Sequence, residues 1–245
     1  MNVLTINHFH ISHKELFQIM VLKRLEQQDD MILSLYEDLK EKLPGKKMSR
    51  SHFYATIKEM ETIGFIEQSP VQDRRKKIFH ITPQGTNKLL EYNGLYFEPY
   101  MALKQIVELF IHDLSGANPL KRPTVFPLQP QQKKFFSKLI NVREVIEWVM
   151  LKELIKNEKI PADLLTYFQM NYGWQPGEGY LYEVVRSMEE HGWIIGEWES
   201  DRRSKRIYQI DERGRQVLPR IEESVLYTMK NIRSFINNLL GVFHL

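Results

Sequence analysis

The stretch "FIEQSPVQDRRKKIFHIT", Phe65 to Thr82, decides how this chain is read. It alternates apolar and polar residues, crosses a polar turn with a proline and four consecutive cations, and alternates again. That is the signature of a β-hairpin. Before it, "KKMSRSHFYATIKEMETIGFI" sets Phe53, Ile57 and Met60 at helical spacing, from a start near Ser49 to a natural C-cap at Gly64. After it, Thr82-Pro83 suits an N-cap followed by proline in the first helical position.

The same text recurs further along. "YATIKEMETIGFI" (Tyr54 to Ile66) aligns with "YEVVRSMEEHGWI" (Tyr182 to Ile194) at a shift of 128 residues, and Asp73-Arg74-Arg75 falls on Asp201-Arg202-Arg203. One inserted residue then moves the shift to 129, where Gly85 meets Gly214. Upstream, Ser12 with Glu15 forms a capping-box pattern and Asn141 with Glu144 holds the equivalent positions. Each precedes a run apolar on most faces, Leu16 to Leu25 and Val145 to Leu154, as in a helix at the centre of a small domain. "MILSLYEDLKEKL" and "ADLLTYFQMNYG" supply a second helix in each copy.

Both copies end on a heptad-like stripe. Tyr96, Tyr100, Leu103, Val107, Phe110 and Leu114 match Val225, Met229, Ile232, Ile236, Leu239 and Phe243, and both stripes are expected to be packing surfaces. Between the copies, "SGANPLKRPTVFPLQPQQ" holds four prolines and reads as an extended connector. The expected division is therefore a first copy over 1–114, a linker over 115–132 and a second copy over 133–245. The expected fold class is mainly α with small β-hairpins (α+β), as tandem winged helix-turn-helix domains each followed by a long packing helix.

Bulk composition sets the outer limits. The 245 residues are 42% hydrophobic and 27% charged, the balance of an ordinary globular protein. The net charge of +3 says little, because the placement of charge matters more than its sum. Cysteine is absent, which excludes disulfides, thiolate metal sites and cysteine nucleophiles. No apolar run has the length of a membrane span and the first residues carry no export pattern, so the expected location is cytoplasmic, with no membrane partner.

Three helices and a basic hairpin describe a winged helix-turn-helix, and here the chain resembles the PadR family. "FYATIKEMETIGFI" and "YLYEVVRSMEEHGWI" look like the family segment in which a tyrosine precedes a helix ending in a Gly-aromatic-Ile step. "RRKKIFHITPQG" and "RRSKRIYQIDERG" look like its basic wing, second strand and glycine-containing helix start. The resemblance implies transcription regulation through double-stranded DNA, with a long terminal helix that packs subunits together. Family members carry one winged helix per chain, so two copies leave open a pseudo-dimer within one chain or a homodimer. The resemblance also implies a small aromatic effector, with Trp148 or Tyr96 lining its pocket.

A hairpin tip with Arg74, Arg75, Lys76 and Lys77 would set cations beside phosphates, and each neutralised phosphate releases counterions. Such contacts position the protein, while bases are read by the start of the third helix in the major groove. In copy one that start offers Ser49, Arg50, Ser51, His52 and Tyr54, then Lys58, with Lys46 and Lys47 suited to the backbone. Copy two has Glu178 where copy one has Arg50, and Glu183 in place of Ala55. Its usable groups are Tyr180, Tyr182 and Arg186, with Arg202, Arg203, Lys205 and Arg206 as the wing. Copy one is expected to be the stronger reader, on unequal half-sites about one duplex turn apart. Tyr54 and Tyr182 are equally compatible with core positions whose hydroxyls reach the surface.

His8, His10 and His13 lie close together but lack a thiolate or carboxylate at ligand spacing, so no metal or other cofactor is expected. No phosphate loop, serine elbow or carboxylate pair stands out, so no enzyme is expected. A repressor is the first reading. A plasmid-type replication initiator with tandem winged helices, or a winged-helix scaffold that binds no DNA, are the alternatives.

Overall fold

The computed structural model describes residues 11–42, 49–70, 77–116, 121–199 and 205–243. Along the chain run α1 (His13–Gln27), β1 (Asp30–Met31), α2 (Ile32–Lys42), α3 (Arg50–Thr62), β2 (Ile66–Gln68), β3 (Ile78–Ile81) and α4 (Pro83–Tyr92). A π-helical stretch, Asn93–Phe97, leads into α5 (Glu98–Leu114). Then follow α6 (Pro130–Leu139), α7 (Val142–Lys156), α8 (Pro161–Tyr172), α9 (Glu178–Glu190), β4 (Ile194–Trp198), β5 (Arg206–Ile210) and α10 (Glu212–Val242). The molecule is mostly helical with small antiparallel sheets, the α+β class expected, and no described helix is long and apolar enough to cross a membrane.

Two compact units form, one from Met1–Met101 with Ser234–Leu245, the other from Ala102–Arg233. In the first, α1 packs on α3, α4 and β3. Its residues Leu16 to Leu22 and Leu25 are buried, including Gln18, whose amide oxygen accepts from the Tyr92 hydroxyl. The capping box forms as spelled: Glu15 N donates to Ser12 Oγ at 3.1 Å, and Ser12 N donates to Glu15 at 2.9 Å. The sheet has the order β1-β3-β2, with Ile66 opposite Ile81 and Asp30 opposite Phe79.

In the second unit α7 takes the central place against α9 and β5. Here Asn141 caps Glu144 N at 3.4 Å, but the Glu144 carboxylate accepts from Ser224 instead of closing a box. The hairpin pairs β4 with β5, Ile194 opposite Ile210 and Trp198 opposite Arg206, and a single bridge joins Lys159 to Tyr208. Asp30 and Phe79, moved by 129, are Lys159 and Tyr208, so the short third strand of one unit is a lone bridge in the other.

Helix-to-hairpin joints have the same construction in both units. Gly64 and Gly192 hold φ of 76° and 68°, the left-handed cap for which glycine is suited. Phe65 N then reaches Met60 O at 2.8 Å, and Trp193 N reaches Met188 O at 2.9 Å.

The compact units do not follow the bounds 1–114 and 133–245, because both long helices are divided. Beyond Met101, α5 carries Leu103, Val107 and Phe110 into the core of the second unit, where the Phe110 ring stacks on Tyr172 at 3.9 Å and lies 5.9 Å from Phe136. The last turns of α10 belong to the first unit, where Phe243 meets Phe97 at 5.6 Å. Within 115–132, the stretch expected as an extended connector, side chains and backbone make specific bonds. Arg122 grips Asp113 with two hydrogen bonds of 3.0 Å and Leu128 N donates to Gly173 O. Burial alone would raise the Asp113 pKa, but hydrogen bonds from Arg122, His112 and Tyr172 hold it below the usual carboxylate range. Pro130 opens α6 as its first residue, so the helix begins inside the stretch read as connector.

Candidate nucleic-acid interface

On α3, Ser49 caps the start by accepting from His52 N at 3.4 Å, and Phe53, Thr56, Ile57 and Met60 form the buried stripe. Helical spacing then puts Arg50, Tyr54 and Lys58 in one exposed row. Arg50 lies over the ring of Tyr36 at 5.3 Å, and Tyr36 stacks on Tyr54 at 6.4 Å. Together they make a cationic and aromatic ledge at the start of α3, with its guanidinium free of any carboxylate partner among the described residues. Ser51 and His52 are exposed beside it, the Ser51 hydroxyl 2.9 Å from that of Ser49. Lys77 is exposed at the entry to β3. Lys46, Lys47, Arg74, Arg75 and Lys76 lie outside the described residues.

In the second unit, α9 and the β4–β5 hairpin present different chemistry. Leu181, Val184, Val185 and Met188 are buried on α9, leaving Tyr180, Tyr182, Glu183 and Arg186 exposed. Its start has Gly177 as N-cap with no side-chain bond, and Glu178 in the first turn favours the helix dipole. At the hairpin, Arg206 donates to Glu189 and sits over the rings of Trp198 and Tyr208, 5.4 and 5.7 Å from their centres. Lys205 is exposed, and Arg202 and Arg203 lie outside the described residues.

The family model described as the transcriptional regulator PadR-like family matches residues 150–220. Residues 150–220 are a PadR-like domain. They span the end of α7, then α8, α9, both strands of the hairpin and the start of α10. The chain is also similar to a solved structure, Bacillus subtilis PadR in complex with operator DNA. The two are 17% identical over 92% of this chain and 96% of that chain, with a TM-score of 0.27. No curated protein matches the chain.

Within the PadR-like domain the expected wing cation Arg206 is the described one that is tied down. Sequence reading missed its partner Glu189 and its neighbour Trp198, although counting the hairpin register places Trp198 directly across from Arg206. Trp148, expected as a pocket wall, is fully buried: its indole donates to Glu222 at 3.2 Å and Lys152 Nζ lies 4.9 Å above its ring. In the first unit, Tyr96 is likewise occupied, its hydroxyl donating to Glu15 at 2.7 Å. Among the described residues no three metal-ligating side chains cluster, and His8 and His10 lie outside them.

Proposed function

We propose that this chain is a DNA-binding transcription regulator that represses by occupying a promoter, with two winged-helix copies of unequal roles. The observation that carries the reading is the exposed row Arg50, Tyr54 and Lys58, held outward by a buried stripe and without a carboxylate partner among the described residues. The PadR-like domain at 150–220 supports it, since that family is described as one of transcriptional regulators. In this reading α3 reads bases, the first hairpin with Arg74, Arg75, Lys76 and Lys77 grips phosphates, and copy two contributes mainly backbone contacts through Lys205, Arg202 and Arg203. With two winged-helix copies in one chain, a single chain would supply both halves of the site as a pseudo-dimer. Light scattering at the mass of one chain is the expected result.

A mobility-shift titration at about 50 and 200 mM salt tests the function. With six or more phosphate contacts the wild type loses roughly a thousandfold in affinity between these conditions. Changing Arg74, Arg75, Lys76 and Lys77 to alanine weakens binding to all duplexes alike and flattens the logarithmic salt slope by about 3 to 4. Unchanged affinity in that variant removes the first wing from the interface. Salt-insensitive binding of the wild type defeats the whole reading.

A further inference from the structure

We propose that the cleft between α9 and the β4–β5 hairpin is a binding site for a planar aromatic ring bearing a doubly charged phosphate, the chemistry of a mononucleotide. The cleft measures about 560 Å³, within the range of small-molecule sites, and the start of α8 closes one side with Ile160 and Pro161. Two aromatic residues on its walls retain exposed surface: Trp198 is 46% exposed and Tyr182 is 42% exposed. Trp198 is not a loose surface residue. Its cross-strand partner Arg206 lies against it, Glu189 holds that arginine from α9, and the arginine also lies over the Tyr208 ring.

Gly196 makes the stack fit. A Cβ there would fall 2.6 Å from Arg206 Nε and 2.7 Å from Tyr208 Cε1, so any other residue displaces the arginine. The result is a braced aromatic platform suited to stacking a ring.

Charge selects the rest of the ligand. Glu189 neutralises Arg206, which leaves Arg186 and Lys205, both lining the cleft, exposed and without a carboxylate partner among the described residues. Two uncompensated cations beside an aromatic platform match a ring with a dianion better than a neutral ring or a bare anion. Copy one has Gln68, Pro70, Lys77 and Phe79 at the positions of Gly196, Trp198, Arg206 and Tyr208, so the platform belongs to copy two.

Calorimetric titration of the full chain without DNA tests the site separately from the function proposed above. The probes are adenosine 5′-monophosphate, adenosine and inorganic phosphate. The monophosphate is expected to bind at least about tenfold tighter than either half alone. Trp198→Leu, Gly196→Ala and the double variant Arg186→Gln with Lys205→Gln should each weaken it by about tenfold or more. The double variant changes only exposed side chains and so keeps the test valid if the other two fail to fold. A short oligodeoxyadenylate separates a free nucleotide from a unit of a strand, and tighter binding of the strand overturns assignment to the free ligand. The proposal also falls if the monophosphate does not bind, if adenosine or phosphate equals it, or if the folded variants bind it as the wild type does.

Discussion

Arg50, Tyr54, Lys58 and Glu61 of α3 stand where α9 has Glu178, Tyr182, Arg186 and Glu189, at a constant shift of 128 residues. The tyrosine and the next cation are kept in kind, while the first position reverses its charge. Around these rows the internal bonding is alike. Thr82 N donates to Phe65 O at 3.1 Å and Asp211 N donates to Trp193 O at 3.0 Å, closing each hairpin onto the helix that follows. The shared backbone sets where a side chain projects, and the exposed residue alone sets what it can hold. In copy one the position of Arg206 holds Lys77, and no ion pair joins it to Glu61 among the described residues. In copy two the equivalent glutamate is spent on bracing the wing.

The most severe way to break this equivalence is at the glycines that open α4 and α10. A Cβ on Gly85 would fall 2.0 Å from Phe65 O, and one on Gly214 would fall 2.2 Å from Trp193 O. Backbone cannot yield as a flexible side chain does, so Gly85→Ala and Gly214→Ala should each cost about 3 kcal/mol. Urea unfolding followed by circular dichroism measures it. If one substitution is tolerated and the other is not, the two frames are not equivalent.

Next comes the charge reversal itself. Arg50→Glu gives copy one the residue of copy two and should lower affinity for a selected duplex by about tenfold to a hundredfold, with preference relaxed at one base position. Glu178→Arg should act in the opposite sense, raising affinity for unrelated duplexes by about tenfold at low salt. Competition titrations against selected and random duplexes read both. Equal effects of the two substitutions would show that the copies contribute alike and would remove the asymmetry.

The elements that could be read from sequence were those governed by local rules. Period and capping located α1, α3 and both hairpins, because Ser12, Ser49, Gly64 and Thr82 act on the nearest few residues. Where a choice depended on distant partners, spacing was silent. The stripe on α5 declared itself apolar, but nothing in its period said that Phe110 would meet Tyr172 and Phe136 in the second unit. Four prolines argued against helix over the connector, and Pro130 instead began one because the first helical position needs no amide hydrogen. The exposed rows were legible from the buried stripes opposite them. The brace on Arg206 was not, since it requires the hairpin register and the facing side of α9 together.

The smallest effect sharpens the comparison at the caps. Glu15 is lowered in pKa: burial alone would raise it, but hydrogen bonds from Ser12 and Tyr96 outweigh that. Copy two has Val225 at the Tyr96 position, and Ser224 donates to Glu144 from the neighbouring place. A carboxylate whose folded pKa is depressed contributes stability above its unfolded value of about 4.3, and that contribution is lost as pH falls through the folded value. Glu15→Gln should therefore cost a few tenths of a kcal/mol at neutral pH, since the group is only part-buried and solvent screens it. The gap to wild type should close as pH falls below about 4.3. Tyr96→Phe, which removes one of the two side-chain donors, should lose part of the same increment over the same window. Urea midpoints at stepped pH between about 7 and 3 measure both, the lower steps lying beneath the carboxylate range. A gap for Glu15→Gln that persisted unchanged to the acid end would mean that shape, not charge, holds the first cap.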